Sequence, residues 1–133
     1  MKYMLDTDIC VYVIREKPQG VLRRLRRTDV RDVCVSAVTL SELEYGVSRS
    51  SRPDRNKMAL AGFLAPIGVV PYDDMAAREY GGLRAHLEKA GMPIGSLDTL
   101  IAAHALALEC TLVTNNDREF SRVPRLRVQN WAA

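Results

Sequence analysis

Histidine and cysteine are scarce in this chain, aromatics are few, and long apolar runs are missing. Each shortage removes a class of function. Two histidines and three cysteines (Cys10, Cys34, Cys110), with no C-x-x-C spacing, argue against a zinc site or a disulfide framework. The cysteines lie far apart among apolar neighbours and read as buried thiols in a reducing compartment. One Trp, five Tyr and two Phe leave little for base stacking, and no base-reading module is visible. No run of about 18 apolar residues occurs, so no membrane span is expected. The N-terminal M-K-Y-M-L-D reaches an acid too soon for a signal peptide, and the cytoplasm is the expected compartment.

Lysine is also scarce, and this colours the positive charge. Of 19 basic residues, 15 are Arg and 4 are Lys, for a formal net charge of +3. Arginine's planar fork suits phosphate and carboxylate partners. The densest patch is Arg23, Arg24, Arg26 and Arg27. It is either a solvated helix face or a contact for RNA phosphates or an acidic protein partner.

What remains is one domain, residues 1–133, with 47% apolar and 26% charged residues, enough for a real core. It is organised around Ile94–Leu108. There Leu97, Leu100, Ile101, Ala105 and Leu108 recur at helical steps, and apolar residues surround nearly the whole circumference. This predicts a central helix packed on several sides. Strands are expected at Tyr3–Leu5, Val33–Ser36, Gly68–Tyr72, Thr111–Thr114 and, as a short fifth, Leu126–Val128. Helices are expected over Ile9–Arg15, Gly20–Arg27, Leu40–Val47, Asp54–Leu64 and Met75–Lys89, with a loop over Ser48–Pro53. Apolar strands alternating with helices imply an α/β fold with a mainly parallel sheet of four to five strands, covered on both faces.

In such sheets sites form beyond the carboxyl ends of the strands. Asp6 and Asp8 follow the first strand, and Glu42 lies in the first turn after the second. Asp98 opens the central helix, while Asn116, Asp117 and Glu119 follow the fourth strand. Each acid has an ordinary explanation: Asp6, Asp8 or Asp98 caps a helix, and Glu42 closes a capping box with Thr39. Taken jointly, they define a pocket of oxygen ligands. Close carboxylates raise one another's pKa unless a cation intervenes, and Mg²⁺ or Mn²⁺ fits such a set. A carboxylate-held ion suits phosphodiester hydrolysis without a nucleophilic side chain. Thr7 and Thr114 stand beside the site as secondary candidates. His104 reads as a core histidine, and Gly46 as a position of close packing.

Six segments together resemble a PIN-domain ribonuclease of the VapC toxin type: M-L-D-T-D-I-C, V-S-A-V-T-L-S-E-L-E-Y-G, S-S-R-P-D-R-N, P-I-G-S-L-D-T-L-I-A-A-H-A-L, V-T-N-N-D-R-E-F and R-V-P-R-L-R-V-Q-N-W. The resemblance spans nearly the whole chain. It implies a three-layer α/β/α fold and Mg²⁺- or Mn²⁺-dependent endoribonuclease activity, with Asp6, Glu42 and Asp98 as metal-binding acids. An initiator tRNA cut in its anticodon loop is the favoured substrate. It further implies a VapB-type antitoxin whose tail covers the site, a homodimer, and DNA contact only through the antitoxin. Asn116 stands where the family often has a fourth acid; Glu119 is expected to supply the missing charge, with Asp117 as rival. Asp8 replaces a common Asn and suits an outer role around the metal.

Two other readings stay open. Asp6-Thr7-Asp8 matches the D-x-D of haloacid-dehalogenase-type phosphatases, although Cys10 departs from that pattern and no convincing late Lys follows. Alternatively, Asn116 marks a PIN-like module that only binds RNA or a partner.

Overall fold

The computed structural model describes residues 1–133. Five strands, β1 (Tyr3–Leu5), β2 (Val33–Ser36), β3 (Gly68–Val70), β4 (Thr111–Val113) and β5 (Val128–Gln129), form one parallel sheet in the order β3-β2-β1-β4-β5. Alternation along the strands separates two cores. Met4, Cys34 and Leu112 face one side, where they meet helices α5 (Asp74–Lys89), α6 (Ser96–Leu108) and the short α7 (Asp117–Phe120). Leu5, Val33, Val35 and Val113 face the other, against α1 (Thr7–Arg15), α2 (Gln19–Arg26), α3 (Ala37–Arg49) and α4 (Pro53–Leu64). Every residue of β2 and β4 is buried, as a sheet covered on both faces requires, and only Ser36 and Thr111 among them are polar. The expected three-layer α/β/α architecture is what forms.

The chain winds from β1 outward through β2 to β3, then returns to build β4 and β5 on the other side. Between β1 and β4 the winding reverses, and the loops at their carboxyl ends part there to open a crevice. Asp6 directly follows β1, and Thr114 directly follows β4.

Most expected elements form, with shifted ends. Helix α3 begins at Ala37 rather than Leu40, because the Ser36 side chain caps it by accepting from the Val38 N–H at 3.1 Å. The expected Thr39–Glu42 capping box is therefore absent. Thr39 is fully buried with its hydroxyl unpartnered, and Glu42 accepts instead from the Thr7 hydroxyl. The loop expected over 48–53 shrinks to residues 50–52, since α3 runs on to Arg49 and Pro53 takes the first position of α4. Strand β3 stops at Val70, before a proline that has no N–H to donate. Leu97, expected in the buried stripe of α6, is 46% exposed; the buried face comprises Thr99 and Ile101–Ala105. Three alanines in that run let α6 lie close between α5 and the sheet. The three cysteines are free and buried, as expected. No helix is long and apolar enough to cross a membrane.

The unpartnered Thr39 hydroxyl separates the two accounts of this helix start. Thr39→Val should leave the fold intact and raise its stability by about 1 kcal/mol in urea unfolding, because a buried unpaired donor is removed at constant shape. A working capping box would instead make that substitution destabilising.

Candidate active site

Asp6 is placed by the turn from β1 into α1. As the N-cap of α1 it accepts the Thr7 N–H on Oδ1 at 2.8 Å, so its ordinary capping role is real. Its other oxygen accepts the Thr114 hydroxyl at 2.8 Å, across the β1–β4 crevice. Only 5% of the residue is exposed, and burial, reinforced by the negative charge of Asp8, lifts its pKa to about 6. Thr114 also receives the Asn116 N–H at 2.9 Å, so the hydroxyl orders the loop after β4 while it orients Asp6.

Asp8 is no cap. Its Oδ2 accepts the Asn115 N–H at 3.0 Å, while Oδ1 is buried without a partner. Burial raises its pKa as well. Glu42, half-buried on α3, is held by the Thr7 hydroxyl at 2.7 Å. Thr7 and Thr114, secondary candidates from sequence, thus make the direct contacts that orient Glu42 and Asp6.

Asp98 projects from the first turn of α6, and it does not cap that helix. Gly95 is the N-cap residue and no side chain bonds there. Burial, then the charges of Asp6 and Glu119, raise the Asp98 pKa to about 7. Glu119 reaches back from α7 toward Asp98, close enough for its charge to help raise the Asp98 pKa. Its Oε1 accepts the Gly95 N–H at 2.9 Å, and its Oε2 is bonded by the Asn116 amide. Asp117 is exposed and faces the C-terminal tail instead, accepting from the Asn130 amide at 3.2 Å. Of the rivals for the position after β4, Glu119 is the one beside Asp98.

Three residues escaped sequence reasoning. A Cβ on Gly95 would stand 3.3 Å from Asp98 Oδ2 and 3.8 Å from Glu119 Oε1, so glycine there leaves room for the two acids. The P-I-G-S turn just before the central helix was the available signal. Asn115 joins Asp8 to Tyr12, donating to the Tyr12 hydroxyl at 3.0 Å; nothing in their local sequence marks this pair. Gly46 had been read wrongly. A Cβ there would meet nothing within 4 Å, so close packing does not account for a glycine that costs a helix about 1 kcal/mol against alanine. His104 is the expected core residue, 1% exposed, with Nδ1 2.8 Å from Ser36 Oγ and its ring edge-on to Tyr72.

None of the five salt bridges in the chain involves Asp6, Asp8, Glu42, Asp98 or Glu119. No three of the acids are close enough together to form a ready-made ion cage. The donors are nevertheless all oxygens, two of the acids are held far above the usual carboxylate pKa, and one buried Asp8 oxygen has no partner. That chemistry fits a hard divalent ion. The basic patch lies elsewhere. Arg24 donates to Gln129 Oε1 at 3.2 Å and stacks 5.2 Å over the Trp131 ring, so it clasps the C-terminal tail. Arg23, Arg26 and Arg27 are exposed and unpaired.

A parallel α/β/α sheet with an all-oxygen acid cluster at its switch point defines the carboxylate-lined class of hydrolase-like folds. The chain belongs within it to the PIN-domain family, which it matches over residues 3–126, and to that family's VapC-type ribonucleases. It is 43% identical over 132 residues to the tRNA(fMet)-specific endonuclease VapC of Shigella flexneri, covering 99% of each chain. It is 42% identical over 132 residues to ribonuclease VapC2 of Rickettsia felis, covering 98% of each. Among solved structures, DNA-bound VapBC from Salmonella typhimurium superposes with a TM-score of 0.94 at 40% identity, covering 98% of each chain. VapBC2 from Rickettsia felis, bound to a DNA fragment from its promoter, gives 0.92 at 40% identity, covering 98% of this chain and 99% of that one.

The raised carboxyls have a measurable consequence. The ordinary carboxyl value is 3.8, and the folded-state values of Asp6 and Asp98 lie near 6 and 7, so the folded state binds more protons than the unfolded chain in between. The stability these groups contribute is complete below the ordinary value and is lost as pH rises through about 6 to 7. Without divalent ions, Asp98→Asn should therefore be more stable than wild type at neutral pH, and the difference should shrink as pH falls toward 4. Unfolding curves of the two proteins across this range check it.

Proposed function

We propose that this chain is the toxin of a toxin–antitoxin pair, an Mg²⁺- or Mn²⁺-dependent endoribonuclease acting on initiator tRNA, with the anticodon loop as the cut site. The observation that carries the reading is the convergence of Asp6, Glu42 and Asp98 on the β1–β4 crevice with no internal cation to balance them. The substrate rests on relatives named as tRNA(fMet)-specific endonucleases at 43% and 40% identity.

Asp6, Glu42 and Asp98 would hold the ion. Bound there, it would activate water and offset charge on the scissile phosphate. Thr114 and Thr7 fix the carboxylates of Asp6 and Glu42, so the ligands need little reorganisation. Glu119 adds charge beside Asp98, and Asn116 anchors it by its amide. This arrangement argues against a binding-only module: the amide at 116 supports an acid rather than leaving the set short. Membership of the PIN family removes the ground for the phosphatase reading.

The partner is a VapB-type antitoxin. Three VapBC complexes stand among the structural neighbours, and two of these three are bound to DNA, so operator contact falls to the complex. An antitoxin arginine would meet the same uncompensated acids. A homodimer, and a contact for RNA or antitoxin through Arg23, Arg26 and Arg27, are further parts of the reading; Arg24 is already engaged by the tail.

Antitoxin-free protein should cut initiator tRNA in the presence of Mg²⁺ or Mn²⁺ and not in EDTA. Asp98→Asn should lower cleavage by more than about a hundredfold, since several kcal/mol of transition-state stabilisation would be lost. Intact RNA in every reaction would end the ribonuclease reading. In a separate titration, Glu119→Ala should weaken Mn²⁺ binding more than Asn116→Ala or Asp117→Ala; equal losses at 116 and 119 would remove Glu119 from the ligand set.

A further inference from the structure

We propose that the groove on the α3 side of the acid cluster is a nucleotide subsite, in which Tyr45 stacks on an RNA base and Arg15 and Arg49 meet the flanking phosphates. The inference rests on the ribonuclease reading and extends it to how the substrate is held. The groove encloses about 740 Å³, within the range of sites that take small molecules. Thr7 and Glu42 line it, so it opens directly from the candidate centre. Leu97, the residue before Asp98, forms its far wall.

The outer face of α3 supplies the near wall through Glu42, Tyr45, Gly46 and Arg49, spaced to share one side of a helix. Tyr45 is 65% exposed, an unusual state for an aromatic in a chain that has so few. The Arg49 guanidinium stands 5.8 Å over one face of its ring, which leaves the other face for a base. Neither Arg15 nor Arg49 is in a salt bridge, so both cations are free for phosphate. Between these groups lies Gly46, where a Cβ would meet no atom of the chain. Its missing side chain keeps the groove floor low beside Glu42.

An aromatic face flanked by unpaired arginines suits a chain that alternates bases with phosphates. The phosphate that is cut would come to the ion held by the acids; the groove holds the neighbouring nucleotide and sets which phosphate comes to that ion. The apolar hollow next to it, lined by Val11, Ile14, Leu43 and Leu60, has the chemistry of a protein contact and is not included.

The test uses transcribed initiator tRNA and full-length protein. Tyr45→Ala should raise KM roughly five- to a hundredfold, the range of one lost base stack, with a smaller change in kcat, and Tyr45→Phe should restore it. Arg49→Ala should weaken tRNA binding in an Asp98→Asn background and reduce its salt slope by about 1. Gly46→Leu should raise Tm, because leucine favours the helix and its Cβ meets no atom within 4 Å, yet raise KM as Tyr45→Ala does. A gain in Tm with a loss of binding separates a filled groove from a damaged fold. Unchanged KM and affinity in all these variants, while wild type cleaves, would overturn the subsite alone. Loss of antitoxin affinity with tRNA affinity intact would also overturn it, assigning the groove to protein. A wild type that neither binds nor cuts tRNA would overturn the ribonuclease reading together with the subsite.

Discussion

Carboxylates that share a low-dielectric crevice repel one another, and each loses hydration on entering it. Here Asp6 is almost fully buried, Asp98 is half-buried, and no lysine or arginine of the chain pairs with either. The surrounding structure holds this unfavourable arrangement in place. The parallel sheet fixes Asp6 and Thr114 at adjacent strand ends, and α6, which carries Asp98, packs into one core with α5 and the sheet. Neutral donors then supply the hydrogen bonds: the Thr7 N–H and the Thr114 hydroxyl for Asp6, the Thr7 hydroxyl for Glu42, the Gly95 N–H and the Asn116 amide for Glu119. Donors without formal charge orient acids and leave their negative potential available to a ligand from outside.

That constraint connects the three kinds of partner in the functional reading. A divalent ion and a cationic antitoxin group would each answer that uncompensated charge directly. An RNA, itself an anion, would approach the acids only through a bound ion and the arginines at the margin. A site neutralised by its own arginines would hold its geometry more cheaply and would have little left with which to bind an ion. No arginine pairs with the acid cluster; of those outside it, Arg24 on α2 secures the C-terminal tail, and Arg15 and Arg49 line the groove beside α3. Acids at the centre and cations at the margin suit a polyanion whose cut phosphate must come to a bound ion while its other phosphates are held nearby.

Layer architecture was legible from sequence because it depends on long-range alternation. Strands buried on both faces are mostly apolar rather than alternating, and those at 3–5, 33–36 and 111–113 could be placed almost to the residue. The placements of Asp6 and Asp98 were legible for a related reason, since one directly follows a strand and the other lies in the first turn of a helix. Glu42, expected in a first turn, lies a turn further into α3 because that helix begins at Ala37. Helix starts were less so. Thr39-x-x-Glu42 has the pattern of a capping box, but Ser36 already ends β2 in a conformation that starts a helix, and an earlier cap leaves a later one unused. The four-residue α7 is too short to show a period, so only the fold reveals that Glu119 turns toward Asp98 while Asp117 turns toward the tail.

Gly46 shows most directly where sequence reasoning runs out. A glycine four residues after an acid on a helix invites one explanation, close approach of a neighbouring element, and the structure has no such neighbour. With φ in the ordinary helical range and open space around it, neither strain nor packing requires its small size. The remaining physical role is toward whatever enters the groove, because the position lies on the same helix face as Glu42 and Tyr45. Helix propensity favours almost any other residue there. Gly62, Gly81 and Gly82 stand in helices with the same open space, so what distinguishes Gly46 is its place in the groove beside Glu42 and Tyr45.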